Sequence, residues 1–329
     1  MPIVTLANGR SFAAERGTSV LDAALAHGLT LEHSCRTGRC GSCKAQVLGG
    51  ASAVLRDEVS LTAEEAAAGW ILTCTREAQT DLSLDVEDLS ALAGISPKTL
   101  PCRINALELV APDVMKVSLR LPPNSGFAFL AGQYVDVIGP GGIKRSYSVA
   151  SDMRSAGQLE LHVKRVEGGA MSAYWFEQAK PNDLLRFRGP LGTFFLRDLT
   201  GLDVIFLATG TGYAPVHSML MHLAALSPER QPASASVYWG GRVPQDLYAD
   251  AANTPANVQF TPVLSRADTS WAGARGHVQD VLLVDHPSLD NAAVYACGSD
   301  AMIHSARTAL TAAGLRPKRF YSDAFVSSN

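Results

Sequence analysis

The stretch that decides the fold reads Ser34-Cys35-Arg36-Thr37-Gly38-Arg39-Cys40-Gly41-Ser42-Cys43. Three of its cysteines follow the spacing C-x4-C-x2-C, and thirty further residues separate Cys43 from a fourth, Cys74. Glycines let a backbone adopt a positive φ or approach an inorganic core closely. Three thiolates from one loop and one from a distant segment can close around two irons, each receiving two protein sulfurs. The pattern predicts a 2Fe-2S cluster held by Cys35, Cys40, Cys43 and Cys74.

Two other uses of cysteine fit this spacing less well. Zinc sites usually show two short cysteine pairs, whereas here three unequally spaced cysteines precede one remote cysteine. A disulfide framework is also disfavoured, because six cysteines in 329 residues are too sparse for a stapled secreted domain. The spacing is that of plant-type 2Fe-2S clusters, so it indicates an electron carrier.

The bulk composition bounds the class of protein. At 329 residues the chain is long enough for two or three domains. With 47% hydrophobic and 18% charged residues it has an ordinary globular composition. Apolar runs stay shorter than the roughly eighteen residues that span a bilayer, and Met1-Pro2-Ile3-Val4 does not open a targeting signal. We expect a cytoplasmic protein without membrane association, in a compartment that keeps thiols reduced.

Charge is distributed unevenly along the chain. Residues 1–94 carry 7 Lys and Arg against 12 Asp and Glu, a net −5, which leaves +2 for the rest of a chain whose total is −3. The acidic excess could steer a basic protein partner, or it could simply be a solvated surface. The sequence lacks a basic stripe, so no nucleic acid partner is expected.

The first segment alternates short strands and capped helices. Ile3–Leu6 and Ser11-Phe12 are spaced like a hairpin turned by Asn8-Gly9. Ser19-x-x-Asp22 and Thr62-x-x-Glu65 are helix-capping patterns, followed by stop signals at Gly28 and Gly69. Strands are expected at Ala45 to Leu48 and at Leu82, Leu84 and Val86. This order around a four-cysteine cluster resembles the β-grasp fold of plant-type ferredoxins.

The chain therefore divides into four expected regions. Residues 1–92 carry the ferredoxin resemblance, and residues 93–101, with two prolines and no periodicity, are interpreted as a linker. Residues 102–199 show repeated short alternating strands, which predict a closed antiparallel β-barrel. Residues 200–329 alternate buried strands with helical stretches, which predict a doubly wound parallel α/β domain. The fold class is thus multidomain, α+β and α/β. Within the barrel region, Cys102 is expected to be a buried structural thiol.

Four motifs in the barrel region resemble the ferredoxin-NADP reductase superfamily. They are its R-x-Y-S element, its G-x-x-S helix start, its G-Q-Y and its G-P-x-G turn, at Arg145-Ser146-Tyr147-Ser148, Gly169-Ala170-Met171-Ser172, Gly132-Gln133-Tyr134 and Gly189-Pro190-Leu191-Gly192. The resemblance implies that Arg145 meets a flavin phosphate, Tyr147 packs on the isoalloxazine, and the Ser148 hydroxyl approaches the flavin N5. The chemistry suits these residues, since a guanidinium fits phosphate oxygens and an aromatic face covers a flat ring. FAD is preferred over FMN because a G-x-x-S helix start binds pyrophosphate.

The last region carries the features of a nicotinamide site. Thr209-Gly210-Thr211-Gly212-Tyr213-Ala214-Pro215 follows a strand and precedes a helix, as a dinucleotide-binding turn requires, and its closing A-P is typical of the same superfamily. Cys297-Gly298 ends a later strand that faces the same crevice. The resemblance places Cys297 beside the nicotinamide, although a buried small residue at a strand end is an equal alternative. It also implies that Phe325 covers the flavin or makes way for nicotinamide; core packing is the alternative.

Together these features resemble reductases that join an N-terminal ferredoxin to a reductase module, such as those serving CDP-deoxysugar dehydratases and aromatic-ring-hydroxylating oxygenases. The resemblance implies a relay from NADH to FAD as hydride, then singly to the cluster and to an external acceptor: an oxygenase, a ferredoxin or a sugar dehydratase. Ser148, Cys297 and Phe325 are the candidate catalytic residues. NADPH is less favoured, because only Arg242 follows the second strand to meet a 2'-phosphate. The alternative is a cluster-bearing redox sensor with slow turnover.

Overall fold

The computed structural model describes residues 1–7, 9–86, 89, 92, 95–155, 157–249, 255 and 257–325. The chain forms two compact units. The first comprises Met1–Ser96 with Gly192–Phe194, and the second comprises Pro97–Leu191 with Phe195–Asn329. Among the described helices, none combines the length and the apolar character needed to cross a bilayer.

The first unit is built on a mixed five-stranded sheet. Its elements in chain order are β1 (Ile3–Leu6), β2 (Ser11–Ala13), α1 (Val20–Ala26), β3 (Lys44–Gly49), β4 (Ser52–Val54), α2 (Ala63–Ala67), β5 (Trp70–Leu72), β6 (Arg76–Ala78) and β7 (Leu82–Asp85). The sheet order is β2-β1-β7-β3-β5, and β4 pairs separately with β6. Strands β1 and β7 run parallel and the other neighbours antiparallel. The mixed sheet with one helix against it is the predicted β-grasp arrangement.

Local capping determines both helices of this unit, as the sequence predicts. The Ser19 hydroxyl accepts a hydrogen bond from the Asp22 backbone N–H, which satisfies one free donor of the first turn of α1. The buried face of α1 packs into the core of the sheet. Thr62 and Glu65 form a reciprocal capping box at α2. Of the predicted hairpin turn, Gly9 has a positive φ of 82°, and Asn8 lies outside the described residues.

The second unit begins with a six-stranded antiparallel barrel. Its elements are β8 (Lys98–Ala111), β9 (Val114–Arg120), β10 (Tyr134–Ile138), β11 (Lys144–Ser148), β12 (Gln158–Lys164), α3 (Ala170–Ala173) and β13 (Leu184–Leu191). The order is β11-β10-β13-β8-β9-β12, and a bridge between Val149 and Leu161 closes the sheet on itself. A π-helical segment, Tyr174–Gln178, continues α3. The predicted barrel is confirmed.

Strand β8 begins within the segment that the sequence assigns to the linker. Lys98 pairs with Gly189, and Pro101 pairs with Arg186, both on β13. The start of β8 is not predicted from the sequence, because this segment has two prolines and no alternation of apolar residues, and proline cannot donate a hydrogen bond to a strand ladder. Residues 98–101 are therefore strand, which corrects the sequence interpretation of their secondary structure.

The rest of the second unit is a parallel sheet flanked by helices. It contains β14 (Asp203–Thr209), α4 (Tyr213–Leu223), β15 (Ser234–Gly241), β16 (Val258–Leu264), β17 (Ala274–Arg275), α5 (Val278–Asp285), β18 (Ala292–Gly298), α6 (Asp300–Ala312) and β19 (Phe320–Ala324). Short 3-10 helices cover Pro140–Gly142, Gly210–Gly212, Pro228–Arg230, Pro244–Asp246 and Pro317–Arg319. The strand order β17-β16-β15-β14-β18-β19 reverses direction between β14 and β18. In such sheets, ligands bind at the carboxyl edge where the order reverses.

Candidate cluster, flavin and nicotinamide sites

The four predicted cluster ligands lie together in the first unit as two pairs. The Cys43 thiol donates to the Cys74 sulfur at 3.2 Å. The Cys35 N–H donates to the Cys40 sulfur at 3.5 Å, and the Cys40 N–H returns a bond to the Cys35 sulfur at 3.4 Å. Nowhere in the described ranges do three His, Cys, Asp or Glu side chains converge on a position for one metal ion. Paired sulfurs are what a two-iron cluster needs, because each iron takes two protein thiolates.

The cluster loop is held tightly by the segment around Ser60. Gly38 has a positive φ of 76°, and a Cβ added there would lie 2.3 Å from the Asp57 carbonyl oxygen. The Ser60 N–H and hydroxyl both donate to the Gly38 carbonyl oxygen, at 3.0 and 3.1 Å. Because no side chain fits at Gly38, this glycine is required by close packing as well as by φ.

Each cysteine pair already favours one thiolate. A hydrogen bond from the Cys40 thiol, helped by the Thr37 and Cys40 backbone N–H groups, lowers the pKa of Cys35 to about 4. In the other pair, the hydrogen bond from Cys43 lowers the pKa of Cys74, while that same bond and burial raise the pKa of Cys43. Thiolates are the species that bind metal, so each pair offers one thiolate, while Cys40 and Cys43, whose pKa values the hydrogen bond to the partner cysteine and burial raise, lose their protons when metal binds.

The flavin motif on β11 combines a partly buried aromatic ring with an exposed cation. The Tyr147 hydroxyl accepts a hydrogen bond from Trp175 Nε1 at 3.0 Å, and burial raises the pKa of Tyr147 to about 12. Ser148 is buried, and the Ser146 hydroxyl donates to Asp136 Oδ1 at 2.6 Å. Arg145 is exposed and its Nη1 donates to the Lys144 carbonyl oxygen at 2.8 Å. An uncharged tyrosine beside an exposed guanidinium suits a flat ring that ends in phosphate.

The predicted pyrophosphate segment offers its backbone rather than its side chains. The Ser172 hydroxyl accepts from the Val166 N–H at 2.8 Å. Met171 is buried, and a Cβ at Gly139 would lie 2.3 Å from its sulfur. The first N–H groups of a helix have no partner within the helix, so those following Gly169, of which Ala170 is exposed, can meet phosphate oxygens.

The nicotinamide residues meet where the sheet reverses direction. A Cβ at Gly212 would lie 2.2 Å from the Cys297 carbonyl oxygen, and one at Gly298 would lie 2.1 Å from Thr209 Oγ1. Gly210, which precedes Thr211 in the turn, has a positive φ of 53°. The turn Gly210–Gly212 therefore packs directly on the end of β18 because it carries glycine.

The structure buries the Cys297 thiol completely. Burial, with Asp323 beside it, raises the pKa of Cys297 well above its ordinary value. The backbone of Cys297, and not an exposed thiol, reaches the crevice in this conformation. Phe325 lies at the same edge; the residue is 36% exposed, and its N–H donates to the Gly298 carbonyl oxygen at 2.8 Å. Val326 lies outside the described residues.

Two hydrogen bonds join helix α4, which follows the dinucleotide turn, to the residues just after strand β11, which carries the flavin motif. His217 Nδ1 lies 2.8 Å from the Ala150 carbonyl oxygen, and the Ser218 hydroxyl donates to the Ser151 carbonyl oxygen at 2.7 Å. Ala150 and Ser151 lie two and three residues after Ser148 in the chain, so the flavin motif and the dinucleotide turn are joined close to each other within one unit.

Arg266 is a second arginine at the sheet edge where Arg242 lies, and the sequence pattern does not predict it. The Arg266 N–H donates to the Arg242 carbonyl oxygen at 2.9 Å, and both arginines are exposed. They follow β15 and β16, which are parallel neighbours. Parallel strands end at the same edge of a sheet, so Arg266, after β16, lies at the same edge as Arg242, after β15.

Three domain families match the chain in order. The 2Fe-2S iron-sulfur cluster binding domain matches residues 4–79, the oxidoreductase FAD-binding domain matches residues 101–196, and the oxidoreductase NAD-binding domain matches residues 206–308. These matches cover the three sites described above.

Relatives match this chain over almost their whole length. The CDP-6-deoxy-L-threo-D-glycero-4-hexulose-3-dehydrase reductase of Yersinia pseudotuberculosis is 42% identical, over 98% of this chain and 97% of the relative. Reductase component 1 of the terephthalate 1,2-dioxygenase of Comamonas is 32% identical, over 97% and 95%. The crystal structure of the Amycolatopsis cytochrome P450 reductase GcoB superposes with a TM-score of 0.72 at 30% identity, covering 99% of both chains.

Proposed function

The chain belongs to the family of electron-transfer reductases that join a 2Fe-2S domain to FAD-binding and NAD-binding domains, and on that premise we propose that it transfers electrons from NADH to a CDP-sugar dehydratase. The identity of 42% to a hexulose-dehydrase reductase, against 32% to a dioxygenase reductase component, supports this acceptor over an oxygenase. A ferredoxin intermediary is not needed, since the 2Fe-2S domain is part of the chain.

One observation carries the proposal of a relay. The turn Gly210–Gly212 and the strand end at Ser148 are held in one unit by the bonds from His217 and Ser218, so a dinucleotide and a flavin can meet there. The flavin, when bound, accepts a hydride as two electrons and one proton and releases electrons singly, and the cluster carries one at a time at about −400 mV. The protein supplies position and electrostatics.

Individual residues take defined roles in this proposal. Arg145 and the backbone N–H groups after Gly169 would hold the flavin phosphates, and Tyr147 would cover its ring. The buried Ser148 hydroxyl would contact the reacting edge of the ring. The Gly210–Gly212 turn would hold the dinucleotide, and Phe325 would shield the flavin until nicotinamide enters. Cys297 would shape the floor of the crevice through its backbone, because its thiol is buried.

The domain boundaries and the compartment belong to the same proposal. We place the ferredoxin domain at 1–92, a linker at 93–101 whose last residues, 98–101, already begin strand β8, the flavin barrel at 102–199 and the nicotinamide domain at 200–329. None of the six cysteines, all of which lie within the described residues, forms a disulfide, which fits a cytoplasmic location, where thiols stay reduced.

The order of transfer can be tested with two electron acceptors. We expect Cys40→Ser to abolish NADH-dependent reduction of cytochrome c, which takes electrons from the cluster, and to leave reduction of ferricyanide by the flavin largely intact. Cys102→Ser is the matched control, because Cys102 is a buried cysteine in the other unit. Equal loss of both activities in Cys40→Ser would contradict a serial order.

A further test addresses the acceptor. Full-length protein, NADH and a purified CDP-sugar dehydratase should together turn over the sugar substrate. A purified ring-hydroxylating oxygenase in place of the dehydratase should give a lower rate. A higher rate with the oxygenase would reverse the choice of acceptor.

A further inference from the structure

A partly buried chain of polar and aromatic contacts connects the barrel to the dinucleotide turn. It begins at His162 on β12, whose side chain is 1% exposed. His162 Nε2 lies 2.9 Å from Glu160 Oε1, and His162 Nδ1 lies 3.0 Å from the Tyr248 hydroxyl. Tyr248 follows β15 in the nicotinamide half of the unit, so this hydrogen bond joins the two halves.

The ring of Tyr248 also contacts the ring of Trp239. The two rings meet edge to face with centroids 5.0 Å apart. Trp239 on β15 is fully buried, and its Nε1 donates to the Gly210 carbonyl oxygen at 3.0 Å. Gly210 opens the dinucleotide-binding turn, so the chain of contacts ends at the residue that begins the proposed nicotinamide site.

The chemistry of His162 fixes the direction of its hydrogen bonds. Burial lowers the pKa of His162, and the hydrogen bond from His162 lowers the pKa of Glu160. A neutral ring that donates from Nε2 to an ionised Glu160 must accept at Nδ1. The Tyr248 hydroxyl is therefore the donor to His162. A satisfied network of this kind, with His162 buried and Glu160 and Tyr248 partly exposed, favours one arrangement of the groups it joins.

We propose that His162 and Tyr248 are positioning residues for hydride transfer: their hydrogen bond, acting through Trp239, fixes the turn at Gly210 relative to the flavin-binding barrel. This inference rests on the proposed function and adds residues that none of the sequence motifs contains. Neither residue needs to touch the reacting atoms. The transfer moves one hydride from the dihydronicotinamide to the flavin, and its rate depends steeply on the geometry in which the two are held.

Three single variants separate positioning from general packing. Tyr248→Phe keeps the ring and its edge-to-face contact but removes the hydroxyl. His162→Ala removes the hydrogen-bond partner, and His162→Gln supplies an amide that can both donate and accept. The matched control is Tyr238→Phe, which removes a buried hydroxyl, bonded to Asp285 Oδ2 at 2.9 Å, from the same strand as Trp239.

The measurement is flavin reduction by NADH in the FAD-loaded full chain, followed anaerobically by stopped flow. We expect Tyr248→Phe to lower the limiting rate about tenfold, with FAD content unchanged and the Kd for NADH altered less than about twofold. His162→Gln should be faster than His162→Ala. The double variant His162→Ala, Tyr248→Phe should be no slower than His162→Ala, because both changes break one bond.

The possible results distinguish a failure of the positioning role from a failure of the proposed function. An unchanged rate in Tyr248→Phe, an equal slowing in Tyr238→Phe, or additive effects in the double variant would overturn the positioning role. A selective rise in the Kd for NADH, at an unchanged limiting rate, would also overturn it. A wild-type protein that loads FAD but does not reduce it with NADH would instead contradict the proposed function.

Discussion

Glu58 shows how a residue that binds no cofactor can support the cluster. Its carboxylate forms a two-pronged pair with Arg76, at 2.9 Å from Nε to Oε1 and 2.7 Å from Nη2 to Oε2. The Thr75 hydroxyl also donates to Oε1, at 2.9 Å. Thr75 and Arg76 directly follow Cys74, so Glu58 anchors the segment that delivers the remote cysteine.

This anchor predicts a pH-dependent contribution to stability. Burial acts to raise the pKa of Glu58, but bonds from Arg76 and Thr75 hold it below its ordinary value of 4.5. A carboxylate with a lowered pKa stabilises the fold above its ordinary value, and that stabilisation disappears as pH falls through the lowered pKa. We expect Glu58→Gln to lower the free energy of unfolding of the first unit by about 2 kcal/mol at neutral pH, and by progressively less below pH 4.5.

Urea unfolding at several pH values, followed by the visible absorbance of the cluster, measures this difference. The control is Glu15→Gln, which alters an exposed carboxylate in the same unit. A difference between wild type and Glu58→Gln that stays constant across pH would contradict the assignment.

The arginine pair at the nicotinamide edge gives a second residue-level prediction. An arginine beside a phosphate makes a charge-assisted bond, and NADPH differs from NADH by one phosphate. NADH stays the proposed substrate, although the second arginine removes the sequence argument against NADPH. We expect Arg266→Ala to lower kcat/KM about tenfold for NADPH while leaving NADH nearly unaffected.

Arg275→Ala is the control for this change. Arg275 is also exposed, on β17 next to β16, but its guanidinium is bonded to the carbonyl oxygens of Ala267 and Trp271. Initial rates with both dinucleotides measure the effect. Equal losses with NADH and NADPH would show that Arg266 does not distinguish them, and NADPH turning over faster than NADH in wild type would contradict the preference.

At the scale of elements, the cluster loop depends on contact as well as on turn geometry. Gly38 and Gly17 have the same positive φ of 76°, but only Gly38 lacks room for a Cβ. Both Gly38→Ala and Gly17→Ala place a side chain in the left-handed region. Only the first must also displace the carbonyl oxygen of Asp57.

We therefore expect Gly38→Ala to reduce iron bound per chain by more than half, and Gly17→Ala to leave it near the wild-type level. Bound iron and acid-labile sulfide in freshly purified protein measure the difference. Equal iron content in the two variants would show that the segment near Asp57 yields easily, and that close packing does not hold the loop.

The strands and helices that the sequence predicts correctly are those with clear periodicity or capping. Ser19 and Thr62 mark the starts of α1 and α2, and alternation marks β7 and β12. The start of β8 escapes prediction because Pro101 and its neighbours carry no alternation, and only pairing with β13 makes them a strand. Pairing between distant segments is tertiary information, which local patterns do not contain.

For the whole molecule too, local sequence patterns predict the motifs but not the residues that the fold brings beside them. The cysteine spacing predicts a cluster but not which cysteines pair, and the strand ending at Cys297 predicts a crevice but not that its thiol is buried. Arg266, His162 and Tyr248 lie far apart in sequence from the motifs they approach. Their proximity follows from strand order and barrel closure, so only the assembled fold reveals them.

The assembly of three cofactor-binding regions in one chain fixes how many electrons it stores. A flavin takes two electrons and a 2Fe-2S cluster takes one, so full reduction of the loaded protein requires about three electron equivalents. We expect an anaerobic dithionite titration, followed by visible absorbance, to end near that value in wild type. Cys40→Ser should end near two, because the flavin site lies in the other unit. Cys102→Ser should match wild type, since its thiol is buried in the barrel core of the second unit and is not one of the paired sulfurs. An endpoint near two in wild-type protein with full iron and FAD content would contradict a cluster that stores and passes on an electron.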